Sequence, residues 1–334
     1  MTKKNVVLLL IDGNNLFHRA YHAIPPLTSK SGEVVNAVFG FSNMLLKAID
    51  EVKPEFVACA FDTKAPTFRH IEFEKYKAQR VSPPPDLYPQ LPKVKKVLDA
   101  FGIRYFEKEG YEADDLLATI ASKAVNSSLL IVHRDKNKRT SPMNDQRLPI
   151  NVIILSGDRD VLQLVDGNVK VQVPGWNLKE TTLYGAREVR EKYGLEPHQM
   201  VDYKSLTGDI SDNVPGISGV GPKTASSLLQ KYHTLENLFK QLDNDPVSLG
   251  NLVEKLRSGR DVALAAKKLV ELDRSVDLPF TIDHLLFKPD WEKVRREFEE
   301  LGFKSIVAKL PLGEVSKVSK VRNVRNETDQ LELI

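Results

Sequence analysis

The sequence has little of several things, and each scarcity narrows what the protein can be. Its single cysteine, Cys59, lies in an apolar run; an internal disulfide is excluded, and the usage fits a reducing cytoplasm. No stretch approaches the ~20 apolar residues that cross a bilayer, so no membrane partner is expected. Lys3-Lys4 followed by Val6 to Ile11 looks like the opening of a signal peptide, but the run is short and Asp12 ends it. Strong net charge is missing too. The 48 basic residues nearly balance 45 acidic ones, for a formal +3, so any surface for a polyanion must come from local clustering. What is present is 334 residues with 41% hydrophobic content, enough for one large α/β domain with an appended helical part.

Three apolar runs have the composition of strands buried on both faces of a parallel sheet. Asn5 to Ile11 stops at Asp12-Gly13-Asn14, Glu55 to Phe61 ends on Asp62, and Val152 to Ser156 runs into Gly157-Asp158-Arg159-Asp160. One aspartate after a strand is ordinary turn or cap chemistry. Three such termini should open onto one crevice, because ligands of open parallel sheets bind beyond the carboxyl ends of the strands.

A fourth acidic group sits at Gly110-Tyr111-Glu112-Ala113-Asp114-Asp115, directly before the apolar periodicity of Leu116 to Ala121. Acids in a first helical turn complement the dipole by roughly 0.3–1 kcal/mol each. Neighbouring like charges about 4 Å apart repel by about 4 kcal/mol at an effective dielectric of ~20. Three acids in four residues exceed what the dipole can offset, and a hard divalent cation would remove the repulsion.

Between the second strand and this helix, Lys64, Arg69, Lys75, Lys77 and Arg80 face only Glu72 and Glu74. Read as a helix, the segment puts Lys77 and Arg80 on one face at i,i+3 with Tyr76 beside them. Basic side chains with interleaved aromatics suit a nucleic-acid backbone and its bases, although a solvated charged helix has the same composition. Residues 133–149 are polar and turn-rich, a long surface loop without assigned chemistry. Val169 to Val173 alternates as a half-exposed strand; helical periodicity takes over beyond, marking a boundary near residue 180.

In that second part, Thr207-Gly208-Asp209-Ile210-Ser211-Asp212-Asn213 leads into Val214 to Ala225. Gly219 and Gly221 permit a tight hairpin of exposed amides, and Pro222 opens a helix whose free N–H groups favour phosphate. A helix-hairpin-helix of this kind grips a DNA backbone without reading bases. Gly216, Gly219, Gly221, Lys223 and Thr224 are its candidate contacts, and Arg69 and Tyr76 those of the basic segment. From Asn237 to Leu310 the pattern is helical and structural; from Gly313 to Ile334, mixed charge without sustained period predicts a largely disordered tail.

Asp12-Gly13-Asn14, Ala60-Phe61-Asp62, Phe68-Arg69-His70, Tyr76 to Arg80, Gly110 to Asp115, Ser156 to Asp160 and Thr207 to Ala225, taken together, resemble the 5′ nuclease domain of bacterial DNA polymerase I, in the flap endonuclease family. The match keeps its order over most of the chain. It implies an α/β fold with a mostly parallel, PIN-like core over 1–180, a helical arch near 64–96, a helical DNA-binding domain over 181–310 with its hairpin motif near 205–232, and a tail over 311–334. The family's metal-site carboxylates carry over onto Asp12, Asp62, Glu112, Asp114, Asp115, Asp158, Asp160, Asp209 and Asp212, all of them acids here. Arg19, Lys77 and Arg80 match basic residues that engage the scissile phosphate, and the hairpin matches an element that in relatives also binds K+ through backbone carbonyls. Residues 133–149 look longer than the usual connection. The tail running past the fold favours a free-standing protein over the nuclease portion of a longer polymerase.

The resemblance implies hydrolysis of phosphodiesters near a 5′ end or flap, removing RNA primers and displaced strands in replication and repair. Two or more Mg2+ ions, or Mn2+, would serve a cytoplasmic monomer whose partners are DNA, primer RNA and a DNA polymerase. Enzymes accelerate their reactions by up to about 10¹⁷-fold, whereas a side-chain base contributes only about 10²–10⁴. A pair of divalent ions roughly 4 Å apart accounts for so many carboxylates. Two rivals remain: a phosphatase of the haloacid dehalogenase type, which leaves the arch and hairpin without a purpose, and a catalytically silent DNA-binding paralogue.

Overall fold

The computed structural model describes residues 6–127, 129–130, 147–175 and 180–311. The expectations of a surface loop, which falls almost wholly on 131–146, and of a tail beyond 311 lie outside them. Strands are β1 (Val6–Asp12), β2 (Phe56–Ala60), β3 (Arg104–Phe106), β4 (Leu129–Leu130), β5 (Arg147–Leu148), β6 (Ile150–Leu155), β7 (Val169–Pro174) and β8 (Thr181–Tyr184). Helices are α1 (Gly13–Ala23), α2 (Asn36–Val52), α3 (Phe68–Glu72), α4 (Leu91–Phe101), α5 (Ala113–Asn126), α6 (Ala186–Tyr193), α7 (Met200–Thr207), α8 (Pro222–Tyr232), α9 (Leu235–Asn244), α10 (Val253–Val270), α11 (Trp291–Glu300) and α12 (Lys304–Val307).

Six strands form one sheet in the order β3-β2-β1-β6-β7-β8. All neighbours are parallel except β8, which runs antiparallel to β7; β4 and β5 make a separate antiparallel pair. The chain moves outward from β1 to β2 and β3 on one side, then returns beside β1 as β6 and moves outward on the other. Around β1 the strand order therefore reverses, and it is there that such sheets leave a crevice.

The apolar runs are continuous because both faces are covered. Leu8, Leu10, Val152 and Ile154 pack against Leu116, Leu117 and Ile120 of α5. Leu9, Ile11, Val57 and Leu155 face the other way, onto Phe17 of α1, Phe41 of α2 and Leu98 of α4. A third core joins the helical part, where Leu206, Ile217, Leu229, Phe239 and Leu256 tie α7 to α10. Among the described residues no helix is long and apolar enough to cross a membrane.

Three features differ from the sequence expectation. β8 belongs to the sheet, so a division at 180 cuts off its edge strand. Residues after α10 leave the helical part: Leu272, Val276, Leu278 and Leu285 join the α5 side of the sheet, and Val294, Phe298, Phe303 and Ile306 join the other. Apolar periodicity marks a helix but does not name the surface it covers. Finally, the basic segment is not one helix. After α3 it continues as turns, with Lys77 at φ 55°, so the i,i+3 face expected for Lys77 and Arg80 does not exist.

Candidate active site

Four carboxylates lie around one space beyond the carboxyl edge of the sheet. Asp12 closes β1 and caps α1, its Oδ1 accepting the Asn15 N–H at 2.9 Å and its Oδ2 the Ser156 hydroxyl at 2.6 Å. Asp62 follows β2 and accepts from the Ala113 N–H at 2.7 Å and from Asn14 Nδ2 at 2.9 Å. Asp114 lies in the first turn of α5, and Asp158 follows β6 with its Oδ1 accepting the Asp160 N–H at 2.9 Å. All four line one crevice of about 660 Å³, as do Lys77 and Arg80.

None of these four forms an ion pair among the described residues, and their titration reflects it. Burial raises the Asp12 carboxyl to about 7, with the charges of Asp62 and Asp158 adding to the effect and the hydrogen bonds from Ser156 and Asn15 opposing it. Burial also lifts Asp114 well above the carboxylate range, reinforced by Asp12, Asp158, Asp62 and Glu112. Asp62 and Asp158 move the same way, again chiefly through burial. Lys204 opposes the shift of Asp158, and Lys77 and Arg80 that of Asp62, without cancelling either; repelling, poorly solvated carboxylates with no ion-pair partner among the described residues, offering oxygen and no sulfur, fit a hard divalent cation. Among the described residues no three His, Cys, Asp or Glu side chains are already drawn into a formed coordination shell; the four acids line the space without converging on one point.

The outer acids are placed differently, because each already has a cation. Lys204 of α7 bridges Asp160 and Asp209, its Nζ 2.6 Å from Asp209 Oδ2. Although burial pushes the Asp209 carboxyl up, Lys204 and the Ser211 N–H and hydroxyl hold it down at about 2. Asp212 receives Arg80 at 2.6 Å and the Tyr76 hydroxyl at 3.3 Å. Glu112 caps α5, accepting Lys77 Nζ at 2.7 Å and the same hydroxyl at 3.1 Å. Lys77 Nζ also lies 3.8 Å from Asp212.

Asp115, expected among the metal-site acids, is committed elsewhere. Arg69 grips it with Nη1 at 2.7 Å from Oδ2 and Nη2 at 2.8 Å from Oδ1, while Asp115 also accepts the backbone N–H groups of Glu112 and Asp273. Arg69 completes its fork on the carbonyls of Leu269 and Glu271. Both side chains are buried, Arg69 at 1% exposure and Asp115 at 0%, so neither a DNA contact by Arg69 nor metal ligation by Asp115 is open to them. Tyr76, 4% exposed, presents no face for a base; it packs with Val214, Ala266 and Leu269. Arg19 donates to the Pro174 carbonyl at 2.6 Å, its buried Nε without a partner among the described residues, and burial lowers its pKa.

The hairpin runs between α7 and α8. Asp209 and Val214 exchange backbone hydrogen bonds at 2.9 and 2.8 Å, and the Ile217 N–H reaches the Leu206 carbonyl at 2.9 Å. Gly216 lies against the end of α7, where a Cβ would stand 2.3 Å from the Gly208 nitrogen. Gly219 needs its freedom for a φ of 76°, whereas Gly221 is extended and caps α8. Gly219, Gly221 and Lys223 are exposed, Gly216 and Thr224 half-buried. Lys204, Asn14, Asn15 and Ser156 are site residues absent from the sequence candidates, although Asn14 and Ser156 fall inside the motifs. The polar residues adjoining Asp12 and Asp158 carried a faint signal, since carboxylates in a crevice need donors; Lys204 carried none.

A family model described as 5′-3′ exonuclease, N-terminal resolvase-like domain, matches residues 7–194, and one described as 5′-3′ exonuclease, C-terminal SAM fold, matches residues 195–293. DNA polymerase I of Caldicellulosiruptor bescii is 38% identical over 312 residues, covering 92% of this chain and 34% of that protein. DNA polymerase I of Bacillus subtilis is 36% identical over 304 residues, covering 91% and 32%. The chain thus spans about a third of the length of these curated relatives. Among solved structures, a bacteriophage T5 D15 flap endonuclease complex with DNA and metal ions aligns at TM-score 0.60 and 16% identity, over 95% of this chain and 99% of that one. The catalytic core of Rad2 with DNA substrate aligns at 0.55 and 17%, over 89% and 88%. At these identities the likeness is one of fold.

Proposed function

This chain belongs to the 5′-3′ exonuclease family, and on that premise we propose that it is a structure-specific 5′ nuclease hydrolysing phosphodiesters at 5′ ends and 5′ flaps of DNA and at RNA primers. The observation that carries the reading is the set of four acids, Asp12, Asp62, Asp114 and Asp158, that have no ion-pair partner among the described residues and line one crevice together with Lys77 and Arg80.

Asp12, Asp62, Asp114 and Asp158 would hold the inner Mg2+ or Mn2+, and Asp160, Asp209 and Asp212 with Glu112 an outer one. The chemistry supplied there would be a more acidic attacking water and neutralisation of charge on the leaving 3′ oxygen. The chain's own groups do the rest. Ser156 and Asn15 fix the orientation of Asp12, and Asn14 and the Ala113 amide that of Asp62. Lys77 and Arg80 reach across the crevice to Glu112 and Asp212; once cations compensate those acids, both are free to meet the phosphate and stabilise charge developing on it. Arg19, which has no carboxylate partner among the described residues, supplies a further positive group beside Gly157.

The exposed amides at Gly219 and Gly221, with Lys223 and Thr224 opening α8, would hold the duplex backbone away from the cut. K+ is the proposed ion of the hairpin, where the Gly219 carbonyl already faces the Lys255 ammonium at 3.5 Å. The polymerase relatives support a role in replication and repair alongside a DNA polymerase; that the chain acts as a monomer is a separate part of the proposal. The test uses labelled 5′-flap DNA and a small phosphomonoester, each with Mg2+ and with EDTA. Flap cleavage that needs Mg2+ and disappears when Asp114 and Asp158 are both made alanine supports the reading. Absent cleavage, or cleavage that survives those changes, defeats it.

A further inference from the structure

The inner and outer acids differ in one respect that their sequence motifs do not express. Asp12, Asp62, Asp114 and Asp158 have no ion-pair partner among the described residues, whereas Asp160 and Asp209 share one ammonium group, that of Lys204. The two acids come from different parts of the fold, Asp160 from the turn after β6 and Asp209 from the hairpin after α7, and Lys204 lies in the last turn of α7 between them. All three side chains are sunk, at 15% exposure for Lys204 and 12% and 14% for its partners.

We propose that the Lys204 ammonium is the resident cation of the outer carboxylate position, and that a second divalent ion enters there only by displacing it. The inference rests on the metal-dependent reading above. A hard ion bridging Asp160 and Asp209 needs their oxygens at roughly 2.0–2.6 Å, and an ammonium that is ion-paired with both carboxylates and hydrogen-bonded to Asp209 occupies that space. The two cannot be bound together. Charge favours the exchange only at sufficient ion concentration: two carboxylates with one ammonium carry −1, and with one divalent ion 0. Lys204 therefore makes the two metal affinities unequal, so that the inner acids fill first and the outer position loads last. With the ammonium in place, the link from the sheet edge to the hairpin domain also persists before metal arrives.

The experiment is a Mn2+ titration of the full chain, with free ion counted by electron paramagnetic resonance, on wild type, Lys204→Met and Lys204→Arg. Wild type is expected to show a tighter and a weaker class of site. Lys204→Met should tighten the weaker class by about tenfold, within the usual range of coupling between sites, and leave the tighter one unchanged. Lys204→Arg should keep the weaker class weak. A weaker class that is unchanged or lost in Lys204→Met overturns the proposal. Should the variants not fold, the ¹⁵N ammonium resonance of Lys204 in wild type decides: it is expected in metal-free protein and should vanish at saturating Mg2+, and its persistence there overturns displacement. Mn2+ binding to none of the three folded proteins would instead defeat the metal reading itself.

Discussion

Arg69 and Asp115 form a two-pronged ion pair at 2.7 and 2.8 Å that solvent does not reach. Asp114, one position earlier on the same helix, lines the crevice and has no ion-pair partner among the described residues. Successive residues of a helix point about 100° apart, and here that rotation separates a side chain that holds the fold from one that serves the site.

Removing the arginine should cost stability. Arg69→Ala leaves Asp115 buried and uncompensated, and the expected loss is about 3–5 kcal/mol, read as a lowered midpoint in urea. Asp114→Asn should do the opposite in EDTA, because it removes a buried carboxyl whose ionisation burial and the neighbouring acids oppose. A neutral effect of Arg69→Ala would show that the pair is not structural.

The metal-free protein should lose stability as pH rises from about 4 to about 7. Over that window an unfolded Asp12 has already released its proton while the folded one, at about 7, retains it. The folded state binds more protons, so the slope of unfolding free energy against pH is negative, at about 1.4 kcal/mol per unit for one group. Above pH 7 the Asp12 contribution is flat. Thermal melts in EDTA across this range check the sign, and saturating Mg2+ should restore the melting temperature at neutral pH.

Lys77→Ala and Arg80→Ala should each lower single-turnover flap cleavage by about 10²–10³, the usual effect of deleting one group that stabilises transition-state charge. DNA affinity should fall much less. A loss confined to affinity would reassign both residues to substrate holding.

At the hairpin, Gly216→Ala must displace backbone, since its Cβ would meet the Gly208 nitrogen at 2.3 Å and the Thr207 carbonyl oxygen at 2.5 Å. Duplex affinity should drop irrespective of sequence. Lys223→Ala should keep the hairpin and reduce the slope of log affinity against log salt by about 1, measurable by fluorescence anisotropy. An unchanged slope would remove Lys223 from the phosphate contacts.

The amino-acid sequence by itself determined the strands and the carboxylates at their ends. Asp12, Asp62 and Asp158 each follow a run whose unbroken apolarity means burial on both faces, and parallel topology then carries all three to one edge. The hairpin was legible for a local reason: Gly219, at a φ of 76°, and Pro222, which opens α8, answer to backbone requirements that act within a few residues, whereas Gly221 is extended and needs no such freedom. Only the tertiary structure decided which charges find partners. Nothing local distinguishes Asp114 from Asp115, or indicates that Lys204 meets Asp160 across a domain junction, that Tyr76 turns inward, or that residues after 270 return to cover the sheet. Local patterning states what must be buried or turned. Pairing depends on distances between segments far apart in the chain, and those exist only once the whole core has closed.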